Sequence, residues 1–329
     1  MIDLKSYITE KNIKKKNQTD KIARLIFLTS AILSASFIVL IILFTSFKGL
    51  SPFLQNYEGY HSTEGIITLS PVNPINFIFG NYWLGGTLGV STDYGIGFAI
   101  INTLIVVFLA IILAVPISVA TALFVAKIAP KPVANFIRTV IELLASIPSI
   151  IYGVFGLGFI TRFVISIASN YDVQTAAGMS LMSTVIVLAM MILPTITAIS
   201  ETAIRAVNVD LINGSLALGA SKMQTFFKVV LTAAKSGIFA GIVLGVGRAL
   251  GEATAVAMVS GNLFSGINFD LFGTTTTLTS RMLLGIKDTT GLDYDIRFSV
   301  GLILMMVIVI TNVGLKFIMR KLGGVDVKV

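Results

Sequence analysis

Residues 245–255 read GVGRALGEATA and lie inside an apolar run from about Gly237 to Val259. Arg248 and Glu252 are the two groups in that stretch able to do chemistry. An ionisable group at the centre of a membrane span costs at least ~2.5–3.5 kcal/mol on insertion scales, so such groups face protein or a wet cavity. Two readings stand side by side. Spacing of i, i+4 brings helical side chains together, although arginine before glutamate is the weaker order, so the two can form a private ion pair. Alternatively, Arg248 meets an anion, because its planar fork binds two oxygens of a tetrahedral oxyanion and never loses its charge. Glu252 would then hold the arginine and make its grip reversible. Glu142 is the third ionisable group deep in an apolar run and joins these two as a candidate on the substrate path, able to pair with an arginine across the bundle; Arg162, Glu201 and Arg205 fall nearer the ends of such runs.

The elements that must position these groups are membrane helices. Hydrophobic residues make up 55% of the 329-residue chain and charged residues only 12%, about half the soluble share. Continuous apolar runs of ~18 or more residues match the hydrocarbon thickness and exclude a barrel, whose strands alternate. Six spans are expected, at roughly 24–47, 97–126, 137–168, 178–204, 225–260 and 297–318. The fold class is therefore all-α and polytopic. Pro116, Pro148 and Pro194 mark expected breaks, since each removes a backbone donor.

The net charge of +8 does not indicate nucleic acid, because the basic residues are scattered over short segments and the tails. They read as topology signals. Lysines and arginines concentrate in the tail 1–23, between spans two and three, between spans four and five, and in the tail 319–329. By the positive-inside rule both termini are cytoplasmic, and 48–96 is the large external loop. Trp83 and Tyr82 in that loop suit an interfacial anchor. The first span is too long for a signal h-region and has no A-x-A site. Zero cysteines and a single histidine, His61, remove disulfides, thiolate chemistry and a His-based metal site.

Gly237, Gly241 and Gly245 recur every fourth residue, and Gly247 and Gly251 form a second such pair. Small residues at this spacing let a neighbouring helix approach closely, which places the fifth span at a helix–helix seam. Between spans four and five the chain reads NVDLINGSLALGASKMQTFFKVVL. A polar start at Asp210, a short amphipathic run and then Gly219-Ala220-Ser221 describe a small helix, a turn and a return into the membrane. Taken bare, this is an interfacial helix; it also has the size and location of a knob that docks into another protein.

The same stretch resembles the coupling loop of binding-protein-dependent ABC importer permeases. In that pattern an E-A-A triplet precedes a glycine, with Leu-Pro further on. Here the triplet is Asn213-Gly214-Ser215, Leu218-Gly219-Ala220-Ser221 carries the glycine, and the Leu-Pro position reads Leu231-Thr232. Asn213 and Thr232 depart from the family's glutamate and proline, so the family's glutamate role does not carry over to Asn213. IELLASIPSIIYGVFGLGF (141–159) and GRALGEATAVAMVSGN (247–262) are similar to the phosphate-specific importer permeases, and FIFGNYW (77–83) leans towards their C-type subunit.

The resemblance implies a type I importer fold, with residues 97–318 as the transport domain and 208–224 as its coupling loop. It implies Arg248 and Glu252 on a phosphate path in the cell membrane. The implied partners are a second, A-type (PstA-like) permease, two cytoplasmic ATPase subunits and an external phosphate-binding protein. No G-x-x-x-x-G-K-[ST] loop is present, so the chain carries no cofactor of its own and any ATP is used by a partner. From residues alone, sulfate or molybdate fits an arginine fork as well as phosphate does. A secondary carrier or channel stays open. A membrane-embedded enzyme is weaker still, because Ser149, Ser200 and Glu201 lack a matching base.

Overall fold

The computed structural model describes residues 10–61, 65–84 and 94–321. The first residues of the basic tail, Gly85 and Gly86 of the long loop, and all but the start of the 319–329 tail lie outside the described residues, as does the side chain of His61. Six helices are long and apolar enough to cross a membrane: Lys16–Leu54, Gly97–Ile128, Ser149–Ser169, Leu181–Arg205, Lys222–Gly251 and Leu292–Lys321.

Helix α1 (Glu10–Leu54) extends beyond the expected first span in both directions. A short hairpin follows, β1 (Tyr57–His61) antiparallel to β2 (Gly65–Leu69), then α2 (Pro74–Phe79). Helix α3 (Gly97–Leu123) runs through Pro116 and ends in a π-helical turn at Phe124–Ile128. Pro194 is likewise carried inside a continuous helix, α7 (Leu181–Arg205), so two of the three expected proline breaks do not form. A single missing donor is tolerated where the helix is packed along its length.

Pro148 does break the chain. Ile147 before it is extended (ψ 126°), the conformation that a following proline favours. The expected span 137–168 therefore divides into α4 (Lys131–Ser146), a separate amphipathic helix, and the span Ser149–Ser169. That span is built from α5 (Ser149–Phe155), a π-helical turn and α6 (Thr161–Ser169).

Beyond α7 come α8 (Val209–Ala217) and α9 (Lys222–Gln224), then a π-helical turn leading into α10 (Leu231–Gly251). The expected span 225–260 stops at Gly251, and α11 (Thr254–Val259) starts a separate piece. Helices α12 (Leu278–Leu283) and α13 (Leu292–Lys321) complete the chain.

The core lies among α3, α7 and α10, where Val106, Ala110, Ile192, Ile196, Val246 and Leu250 are buried together. Gly237, Gly241 and Gly245 face α7: a Cβ at Gly245 would sit 2.7 Å from Ile196, and one at Gly237 would collide with Ala203. This glycine ladder is what lets two backbones meet where lipid offers no drive for association. Gly247 and Gly251 differ. Nothing lies within 4 Å of a Cβ at either position, so within this chain they form no seam. Helix α1 sits at the periphery on α13, through Ser299 Oγ to Gly49 O (2.6 Å) and Lys48 to Asp295 (3.2 Å).

Candidate functional site

Arg248 occupies the last turn of α10, where a cation complements the helix dipole. The residue is half-buried, and its Nη1 donates to Thr195 Oγ1 on α7 at 2.9 Å. A guanidinium has five N–H donors; the others make no hydrogen bond to the described residues. The expected ion pair with Glu252 does not form. The chain leaves the helix at Glu252 (φ −76°, ψ 118°), and i, i+4 contact requires one unbroken helix through both residues.

Glu252 has a different task. Its Oε1 accepts from Ala255 N at 3.0 Å, satisfying a free donor at the start of α11, while its carbonyl accepts from Thr279 Oγ1 at 2.7 Å. It is thus the corner residue between α10 and the segment 252–283, which folds back across one end of the bundle. Gly261 and Asn262 turn that segment in the left-handed region (φ 77° and 53°). Ser180 N to Val259 O (3.1 Å), Leu181 N to Gly273 O (2.9 Å) and Leu278 N to Thr103 Oγ1 (2.9 Å) fasten it.

Glu142 lies elsewhere. It is exposed on α4, in electrostatic range of Arg138. It was expected inside a single span 137–168, but the break at Pro148 sets α4 apart from the span Ser149–Ser169. Of the three residues assigned to the path, Arg248 and Glu252 are therefore neighbours in the chain without touching, and Glu142 belongs to another group.

Two further arginine clusters appear. At the end carrying segment 208–224, Glu201 is 6% exposed and its Oε1 receives Arg138 Nη2 at 2.7 Å and Arg205 Nε at 2.7 Å. Hydrogen bonding to Glu201 raises Arg138 above the ordinary arginine value. The favourable order, glutamate four residues before arginine, was readable at Glu201 and Arg205; the link to Arg138 across elements was not.

At the opposite end Arg281 is 2% exposed and has no carboxylate partner among the described residues. Its Nη2 donates to the carbonyls of Leu263 and Asn262 and to Thr276 Oγ1. Its charge lies 4.8 Å from the Phe264 ring centroid and 5.7 Å from that of Trp83. Burial, with repulsion from Arg297, pulls Arg281 down to about 10, still charged at neutral pH. Trp83 is 4% exposed; it is buried against Tyr94 and Arg281 rather than anchored at the membrane interface.

Segment 208–224 takes the expected form of a small helix, a turn and a return into the bundle. Asn208 caps α8, its Oδ1 accepting from Asp210 N at 3.0 Å, so the helix starts at Val209, one residue before Asp210. Gly219 makes the turn at φ 86°, where a side chain would strain the backbone. Ser221 and Gln224 form a capping box that opens α9, and Ser215 Oγ meets Thr225 Oγ1 at 2.9 Å. No residue of α8 is buried, and Leu218 is 91% exposed beside exposed Val209, Leu211, Leu216 and Met223. Gly214 and Gly219 have open space around them.

Residues 114–322 match the family described as "Binding-protein-dependent transport system inner membrane component". The chain is 34% identical over 298 residues to "Probable ABC transporter permease protein YqgH" of Bacillus subtilis, covering 89% of each. It is 35% identical over 259 residues to "Phosphate transport system permease protein PstC" of Pasteurella multocida, covering 74% of this chain and 81% of that one. Among solved structures it resembles a chain of a bacterial alginate ABC transporter, with a TM-score of 0.59 at 16% identity over 92% of this chain and 97% of that one. A chain of the MetNI methionine transporter aligns with a TM-score of 0.52 at 20% identity over 67% and 92%. At those identities the likeness shows the type I importer permease fold alone. With six helices fit to cross a membrane and a family match over most of its length, this multi-pass membrane chain belongs to the binding-protein-dependent transport system inner membrane component family.

Proposed function

We propose that this chain is a permease subunit of an ATP-driven importer of inorganic phosphate. The observation that carries the reading is its 35% identity, over about three-quarters of the chain, to a phosphate transport system permease. Arg248 supports it as a permanently charged fork whose remaining donors are not spent on protein. Glu252 acts on this site as the corner that ends α10 and fixes where Arg248 points, rather than as its counter-ion.

The energy comes from outside the chain. Helix α8 presents apolar side chains at a bundle end rich in lysine and arginine, which the positive-inside rule assigns to the cytoplasm. A partner ATPase closing on that knob would push it as a rigid element and rock the bundle between two open states. Ser215–Thr225 then passes the motion to the base of α10. The full assembly comprises this chain, a second A-type (PstA-like) permease, two ATPase subunits and an external phosphate-binding protein.

The test is uptake of labelled phosphate by the reconstituted complex, with and without ATP and with competing sulfate. ATP-dependent phosphate uptake that sulfate leaves unchanged is expected, as is loss of at least tenfold in Arg248→Gln at matched expression. Equal uptake by Arg248→Gln and wild type would remove Arg248 from the path; sulfate uptake at the phosphate rate would remove the phosphate assignment.

A further inference from the structure

Helix α7 is unlike the other spans in what it leaves open. Large apolar side chains are exposed on α1, α3, α5, α6, α10 and α13, as with Phe108, Ile112, Phe163, Leu244 and Val309. On α7 none is exposed; the exposed residues are Ala198, Thr202 and Arg205. With half-buried Thr195 these stand at spacings of three, four and three, which is one face of a helix. A face of alanine, threonine and arginine is not what lipid selects, since an arginine held in hydrocarbon is strongly disfavoured. This face begins at Thr195, the partner of Arg248, and reaches Arg205 three turns later, about 15 Å at 1.5 Å per residue.

At its far end the charges do not balance. Arg138, Arg205 and Lys127, which lies in electrostatic range of Arg205, stand against buried Glu201 and exposed Glu142. Both guanidiniums bind the same Glu201 oxygen, Oε1, and Arg205 Nη2 also donates to Val125 O at 3.1 Å. Nη1 of each arginine makes no hydrogen bond to the described residues, and both side chains are about 40% exposed (38% and 43%).

We propose that Arg138 and Arg205 form a second oxyanion station, on the open face of α7, that receives the anion after Arg248 and before its release. The proposal rests on the phosphate-permease reading above and adds an exit site to it. Glu201 is the resident counter-ion. It holds both forks in place when the station is empty, and a dianion bridging the two free edges draws on the surplus charge. The single carboxylate keeps that hold weak enough for release. Ala198 and Thr202 keep the route between the two stations narrow-walled and free of bulk.

The experiment uses the complete transporter in vesicles, with inorganic phosphate preloaded on the coupling-loop side at fixed ATP. Phosphate on that side occupies the exit station and slows uptake. Arg205→Gln and Arg138→Gln are each expected to raise the internal phosphate giving half-inhibition by roughly tenfold, with Arg205→Lys intermediate. Glu201→Gln, which removes the competing carboxylate, is expected to lower it by a similar factor. A merely structural staple would change yield or maximal rate and leave that half-inhibition value unmoved, and this result would overturn the proposal.

Should the glutamine variants fail to assemble, Arg205→Lys and Ala198→Leu decide the matter. A leucine on a lipid face is harmless, whereas on an anion route it cuts uptake about tenfold; wild-type uptake by Ala198→Leu in an intact complex contradicts the exit station. If wild type itself takes up no phosphate, the phosphate reading fails first. If wild type transports and the variants match it, only the exit station fails.

Discussion

The two ends of the bundle each hold a pair of arginines, and they neutralise them in opposite ways. Arg281 and Arg297 are buried; Asp288 and Asp293 lie in electrostatic range of Arg297, but among the described residues Arg281 has no carboxylate partner, carbonyls, hydroxyls and aromatic faces surround its charge, and Arg297 Nη1 donates to its carbonyl at 3.0 Å. Arg138 and Arg205 are half-exposed and share one carboxylate oxygen. Neutral partners that cannot dissociate hold a charge permanently and tie the surrounding loops together. A carboxylate shared by two forks can be displaced by another anion. The first arrangement suits the fixed scaffold around residues 260–283, the second a site that fills and empties. Arg248, between them, has one hydroxyl partner and is the least committed of all.

Arg281→Ala provides the severest test of this contrast. It would leave carbonyls and Thr276 unsatisfied in a cavity, at a cost of roughly 3 kcal/mol or more. Heating the detergent-solubilised protein should show markedly earlier loss of the folded form, and Arg281→Lys should not restore it, because the fork and its ring contacts are lost. Unchanged thermal behaviour would break the claim that this end is the fixed one.

Glu201→Gln should cost less, about 1–2 kcal/mol, because both guanidiniums can turn to water. A loss as large as that of Arg281→Ala would mean that the two ends are equally rigid. Thr195→Val removes one hydrogen bond to Arg248, worth about 0.5–1.5 kcal/mol. A change of a few-fold in the phosphate concentration for half-maximal uptake is expected, with folding unaffected.

The smallest effect is in pH. Burial lowers Arg281 to about 10. Below that value both folded and unfolded states carry the proton, so the penalty is constant; stability gains from this group only as pH climbs above it. From about pH 6 to 9 Arg281 should therefore add no slope to a stability profile, checked by comparing wild type with Arg281→Met.

The span count, the glycine ladder at Gly237, Gly241 and Gly245, and the turn at Gly219 were legible in the sequence. Each rests on a local property: run length, i, i+4 spacing or the positive φ that glycine takes at a helix end. The break at Pro148 was legible as well, but not that it splits off α4 as a separate helix, and the break at Glu252–Ala253 was not legible at all. Both fall inside continuous apolar text, and hydropathy does not distinguish a helix that crosses from one that stops and turns. The misplacement of Glu142 and the expected Arg248–Glu252 pair both follow from those two breaks. The second glycine pair, Gly247 and Gly251, was read as a seam because spacing says that a face is small without saying what lies against it.

By itself the sequence determined that this chain is a six-span helical permease with a short helix and glycine turn between spans four and five and an arginine within an apolar run, since length, apolarity and local capping chemistry suffice for those. Only the tertiary structure decided which charges meet. Arg248 reaches Thr195, Glu252 turns a corner, and Glu201 gathers Arg138 and Arg205, because helix breaks and helix packing, acting across tens to hundreds of residues, set where each side chain points.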